Sequence, residues 1–213
     1  MAQKRYVSNK DESARLFQSD FLEIFSHVHP SVPLIVYLPV ITFFLYVAGT
    51  NPLLGTGSII GLFVAGIATW TLTEYLLHRY VFHYEPTTTW GKRLHFLMHG
   101  IHHDYPNDSL RLVMPPVISL PLAALFYFLF LVLLGGNFLP SFFAGFLFGY
   151  LCYDMVHYAT HHFTMKGRIG LFLKHHHMRH HYQTDDLNYG VSSPVWDFVF
   201  NTAIEKEEPV SQS

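Results

Sequence analysis

FLPSFFAGFLFGYLCYDMVHYATHH, residues 138–162, begins as an apolar run and ends in the pair His157-x3-His161. From Phe138 to about Tyr158 it has the length a bilayer crossing needs, roughly 20 apolar residues. Residues four apart share a face of a helix, so the polar end offers both imidazoles to a common point. Imidazole nitrogen is a ligand for iron, zinc, copper and nickel. The stretch reads as a membrane helix with metal ligands at one end.

Three further apolar runs accompany it: Val32 to Ala48, carrying Pro33 and Pro39; Ile59 to about Leu77; and Val117 to Leu134. Pro39 is expected to kink the first. Before them, Ala14 to Phe25 is predicted to form a short interfacial helix with Phe17, Phe21, Leu22 and Phe25 on its apolar face. The short connections Gly49 to Ser58 and Gly135 to Asn137 contain no Lys or Arg. All 13 basic residues lie in the N-terminal arm, between Arg79 and Arg111, or from Lys166 onward. The positive-inside rule places those three segments in the cytoplasm, facing either a bacterial inner membrane or the endoplasmic reticulum. The expected fold is an all-α integral membrane protein: four transmembrane helices in two hairpins, with a cytoplasmic helical cap holding a histidine-rich di-metal site. One domain covers 1–213, with an N-terminal interfacial segment (1–31), membrane helices and a central cytoplasmic segment (32–160), and a cap and tail (161–213).

Composition agrees. Of 213 residues half are apolar and 13% charged, and His (16) outnumbers both Lys+Arg (13) and Asp+Glu (15). The near-neutral balance gives no footprint for nucleic acid. Cys152, inside an apolar run, is the only cysteine, which excludes a disulfide framework and a cysteine metal site.

Ten histidines fall into four clusters: His78-x4-His83, His99-x2-His102-His103, His157-x3-His161 and His177-x2-His180-His181. Each follows an apolar run or lies in the polar stretch after it. His83, His99, His102 and His103 each have a counterpart 78 positions later, and His78 and His157 are 79 apart. Two hairpins, each followed by a polar segment donating five ligands, account for this; so does convergence of loop lengths. Both H-x-x-H-H clusters are expected to gather two or three imidazoles at one point. His78 and His83 lie roughly 140° apart on a regular helix, so either they serve different metals or the helix distorts between them. Ten imidazoles suffice for two metal ions. No carboxylate sits at ligand spacing, which disfavours the carboxylate di-iron pattern. Zinc fits an all-imidazole site and a purified protein can carry it, but a two-metal centre beneath lipid suits O2 activation by a redox metal.

Glu74 lies one turn before His78, and Asp154 three residues before His157. Ionisable groups at such depth are costly and tend to be functional; both are expected to accept the free N–H of a ligand imidazole. Tyr105, Asp108, Arg111 and Asn188, in polar segments, are candidates for engaging a lipid headgroup or sealing the site. The other six histidines (His27, His29, His95, His162, His175 and His176) read as ordinary polar residues, with His95 and His162 near enough in sequence to support the ligands.

EYLLHRYVFH (74–83), HFLMHGIHHDYPNDSLRLVMPP (95–116), GYLCYDMVHYATHH (149–162), LKHHHMRHHY (173–182) and NYGVSSPVWDFVFNT (188–202) resemble the fatty acid hydroxylase superfamily, also called sterol desaturase-like. RLFQSDFLEIF (15–25) resembles the segment preceding its first membrane helix. Within the superfamily the similarity is to fatty acid 2-hydroxylases acting on free fatty acids or sphingolipid acyl chains. The resemblance implies a di-iron oxygenase that inserts one atom of O2 at C2 to give a 2-(R)-hydroxy acyl group, with all ten clustered histidines as ligands. Many relatives carry a fused cytochrome b5 domain. Here about 30 residues precede the first span, so the two electrons are expected from a separate cytochrome b5 or ferredoxin-type protein. Two rival readings are a carotenoid or sterol-like lipid hydroxylase and a metal-binding membrane transporter. RLVMPP and VWDFVFNT favour the acyl hydroxylase. The transporter calls for polar groups along the mid-membrane lengths of the helices, and the four runs carry none at their centres.

Overall fold

A computed structural model describes residues 5–204, and among them every regular element is helical. In chain order these are α1 (Asp20–Ile24), α2 (Val32–Gly49), α3 (Thr56–Leu77), α4 (Thr89–His95), α5 (Ile101–Asp104), α6 (Pro116–His162), α7 (Gly167–Tyr182) and α8 (Val195–Val199). π-helical turns over His78–Phe82 and Phe96–Gly100 prolong α3 and join α4 to α5.

α1 is shorter than the interfacial helix expected over Ala14 to Phe25. The Glu23 carboxylate accepts the backbone N–H groups of Leu16 and Phe17 at 3.0 and 2.7 Å. A side chain that captures backbone donors in this way competes with helix formation, and residues 14–17 are not helical.

Three helical stretches among the described residues are long and apolar enough to cross a membrane: Val32–Gly49, Thr56–Phe82 and Pro116–His162. The third has 47 residues and would reach about 70 Å if straight. It is not straight. Gly135 has φ 71° and ψ 166°, a region open essentially to glycine. Either side of it the chain runs back along itself: Phe130 packs on Phe142 and Phe126 on Phe146, both with ring centroids 5.0 Å apart.

The returning half of α6 is the centre of the bundle. Residues 139–147 are all buried, while Leu125, Phe128 and Val132 in the outgoing half are exposed, as lipid-facing side chains are. α3 crosses the returning half so closely that a Cβ on Gly145 would lie 1.9 Å from the Phe63 carbonyl oxygen, and one on Gly66 2.0 Å from that of Phe142. Trp70, Phe146 and Tyr150 meet edge to face beside this crossing. Two buried hydroxyls tie the helices together: Tyr37 donates to Ser119 Oγ at 2.8 Å, and Ser141 to the Ile59 carbonyl at 2.7 Å. The bundle thereby fixes the ends of α3 and α6, from which His78, His157 and His161 project.

Candidate metal centre

The π turn after α3 resolves the unusual spacing of His78 and His83. The N–H of His83 bonds the His78 carbonyl at 3.2 Å, and π geometry brings residues five apart into line. Their Nε2 atoms are 3.2 Å apart, so the helix distorts and the pair shares one site. The second π turn carries His99 and leads into α5, which carries His103; their Nε2 atoms lie 3.0 Å apart. In regular α7, His177 and His181 come within 3.1 Å through the ordinary i, i+4 spacing.

All ten clustered histidines come together in two groups. His78, His83, His99, His103 and His180 form one; His102, His157, His161, His177 and His181 form the other. Each half of the chain supplies four members of its own group and one of the other. The H-x-x-H-H clusters therefore do not converge as triplets. Their first and third members stay together, while the middle one, about 100° from the third on a helix, faces the neighbouring group. His102 Nε2 is 2.9 Å from His157 Nε2, and the His180 ring packs on His78 and His83 at 4.7 and 4.8 Å.

These residues fit a pair of metal ions. Imidazole nitrogen binds a zinc-like ion at ~2.0–2.1 Å, so adjacent ligands at right angles are about 3 Å apart. Neighbouring Nε2 atoms within the groups are 2.9–3.2 Å apart, and the candidate ligand atoms of each group all lie within 4.8 Å of one another. His78 Nδ1 donates to the Tyr189 carbonyl, and His180 Nδ1 to that of Leu187 at 2.7 Å. Those bonds fix the tautomer and turn the Nε2 lone pairs inward; His180 Nε2 is buried without a partner. Burial, followed by the neighbouring imidazoles, holds His99, His102, His103, His177 and His181 well below the ordinary histidine value. Burial, chiefly opposed by the Leu187 carbonyl, puts His180 at about 3. Neutral imidazoles with free lone pairs are the form that binds metal.

Glu74 acts at one remove. Its Oε1 accepts the N–H groups of Val191 and Ser192 at 2.7 and 2.8 Å, and Oε2 accepts the Ser192 hydroxyl. It thus holds the loop whose Tyr189 carbonyl orients His78, rather than touching a ring. Asp197 is the counterpart that the sequence did not disclose. Fully buried, it accepts from Tyr189 N, Gly190 N, the Thr202 hydroxyl and His176 Nε2, all at 2.8–2.9 Å. Its only signal was a lone acid in the apolar word VWDFVF. His176, read as ordinary, is part of this support.

Asn188, at φ 60° and buried, is absorbed by backbone: its N–H donates to the Thr202 carbonyl, its amide donates to His176 O and its carbonyl accepts Ile204 N. Asp108 accepts the Ser13 hydroxyl at 2.6 Å and pairs with Arg111 at 3.2 Å. Arg111 also bonds Glu23 at 2.9 Å, tying α1 to this loop. Arg111 and Asp154 line an apolar cavity of about 530 Å³ that Tyr105, Asp108 and Asn188 do not reach. Neither oxygen of Asp154 is hydrogen-bonded to an imidazole. The cavity runs from Phe17, Phe21 and Phe25 to His99, His102 and His157, and so touches both histidine groups.

Helices long and apolar enough to cross a membrane, closed by ten imidazoles in two groups of five that could each hold a metal ion beside an apolar cavity, define the class as a metal-binding type of membrane protein. Residues 63–202 match the family model for fatty acid hydroxylase, and the chain belongs to that family. A dihydroceramide fatty acyl 2-hydroxylase of Arabidopsis thaliana is 40% identical over 193 residues, covering 90% of this chain and 80% of its own. A ceramide very long chain fatty acid hydroxylase of Saccharomyces cerevisiae is 39% identical over 203 residues; that match takes in 94% of this chain but 52% of the yeast protein. A solved structure of full-length Scs7p, with only its hydroxylase domain visible, matches with TM-score 0.84 at 39% identity, over 91% of this chain and 73% of that one.

Proposed function

We propose that this protein hydroxylates C2 of an acyl chain, as a free fatty acid or as the N-acyl chain of a ceramide-type lipid, using O2 and two external electrons. The observation that carries the reading is the apolar cavity whose wall includes His99 of one histidine group and His102 and His157 of the other. A saturated chain has no handle except shape and apolar surface, and this chamber supplies both. The ten clustered histidines are the proposed ligands of two iron ions, which when bound would supply O2 activation; zinc can take the same sites in purified protein.

The chain's own contribution is placement and exclusion of water. Holding C2 within reach of the centre turns an encounter into an oriented contact, and the apolar walls keep solvent away. Arg111 lies in the wall near α1, and its Nε–H, buried without a partner, is the donor left for an acyl headgroup; its terminal nitrogens and the Ser26 hydroxyl are already engaged. Gly135 divides α6 into two crossings in this reading, giving four spans in two hairpins with the histidine centre and its cap on the cytoplasmic side. A cytochrome b5 or ferredoxin-type donor supplies the electrons.

The test is expression in a host lacking its own 2-hydroxylase, followed by mass spectrometry of total lipids. The wild-type chain should yield 2-hydroxy acyl species, and His102→Ala or His180→Ala should yield none. Hydroxylated isoprenoids in their place would favour the rival lipid-hydroxylase reading.

A further inference from the structure

The histidine centre has a second cavity, about 300 Å³ and lined by His83, His99 and His103 of one group and His181 of the other. Its wall is more polar than that of the acyl chamber: beside the histidines stand Arg5, Asp104 and Asp185, with His95, Phe96 and Gly100 completing it. The N-terminal strap runs along its rim. Val7 N and Ser8 N donate to the Asp104 carbonyl at 2.8 and 3.1 Å, Tyr182 donates to Asn9 Oδ1 at 2.7 Å, and Arg5 pairs with Asp185 at 2.9 Å.

We propose that this polar cavity is the entrance through which hydrated divalent metal ions reach and leave the centre, and that the strap's Arg5–Asp185 clasp restrains it. The inference rests on the centre being a metal site. Along the acyl chamber, where Asp154 is the single carboxylate, a hydrated cation would shed water against mostly apolar walls, at a high cost for an ion. In the polar cavity Asp104 and Asp185 offer a compensating field, and the histidines stand at its inner wall, so ligands replace water one at a time. The clasp is suited to opening. Its side chains are 41% and 53% exposed, and exposed ion pairs hold weakly and are screened by salt. The two mouths also separate duties: a lipid filling the apolar chamber leaves the route to solvent clear.

The experiment follows zinc leaving the zinc-loaded full chain in nanodiscs, read by a fluorescent chelator. Arg5→Ala should release zinc several-fold faster than wild type, and raised salt should speed the wild type toward it. In a Cys152→Ser background, Asp185→Cys carrying a bulky maleimide should release zinc several-fold more slowly than before labelling, an effect that simple destabilisation cannot produce. A saturating long-chain fatty acid should leave the rates unchanged. Release slowed by the fatty acid but not by the adduct would overturn the proposal and route the ion through the acyl chamber. A chain that retains no zinc when all ten histidines are intact would instead defeat the metal-centre reading on which the proposal depends.

Discussion

His102 and His180 occupy equivalent places in the two H-x-x-H-H clusters, 78 positions apart, and each sits among the histidines of the other half. Replacing either with alanine should therefore empty the site remote in sequence while sparing the local one. His102→Ala should lose metal from the His157, His161, His177 and His181 group, and His180→Ala from the His78, His83, His99 and His103 group. Metal analysis should find a deficit near one ion per chain in each variant, with hydroxylation abolished in both.

Asp197 satisfies four donors inside the cap. Asp197→Ala leaves Tyr189 N, Gly190 N and His176 Nε2 without this acceptor, while Thr202 keeps its bond to the Tyr75 hydroxyl, at a cost of about 3–5 kcal/mol by comparison with broken buried charge networks. Because Tyr189 would be released, His78 loses its orienting carbonyl. Thermal unfolding in detergent should shift sharply down, and metal content should fall with it; retention of both would contradict the role given to this carboxylate.

The α3–α6 crossing tolerates no side chain at Gly145. Gly145→Ala forces the helices apart against the Phe63 carbonyl, and overpacking of this kind costs about 1–3 kcal/mol. Gly136→Ala, whose Cβ meets nothing within 4 Å, is the matched control. Unfolding midpoints of the two variants should separate clearly.

Acid should weaken the metal-free protein. An unfolded histidine takes a proton near 6.5, whereas folded His180 does so only near 3, and its buried neighbours are likewise depressed. Between those values the unfolded chain binds more protons, so stability is full above about pH 6.5 and drains away as pH falls. Unfolding midpoints measured from pH 8 to pH 5 should be flat at first and then drop steeply. A midpoint that rises on acidification would contradict the neutral state assigned to these rings.

The membrane helices and the ten histidines were legible because hydropathy and i, i+4 spacing are local properties. Of the connection expected over Gly135 to Asn137, only Gly135 leaves the helical region; Gly136 and Asn137 are helical. The pairing of His78 with His83 was open in sequence, since a π turn adds one residue to a helical turn without a signature in side-chain type. The exchange of His102 and His180 was hidden for a different reason: helical phase says that two neighbours diverge, not which partner each will meet. Asp197 lies 21 residues from His176, and its four donors come mostly from backbone, which no residue pattern advertises. Helix α1 came out short because Glu23 captures the N–H groups of Leu16 and Phe17, a contact that the apolar periodicity of the segment does not reveal.

The crossing of those two imidazoles also bears on biosynthesis. Neither five-membered set is complete until His180 and His181 have left the ribosome, so an N-terminal fragment, however well inserted, lacks a finished coordination sphere. On the proposed metal-centre reading, ion capture follows translation of both halves, and each captured ion rivets the earlier half of the polypeptide to the later one.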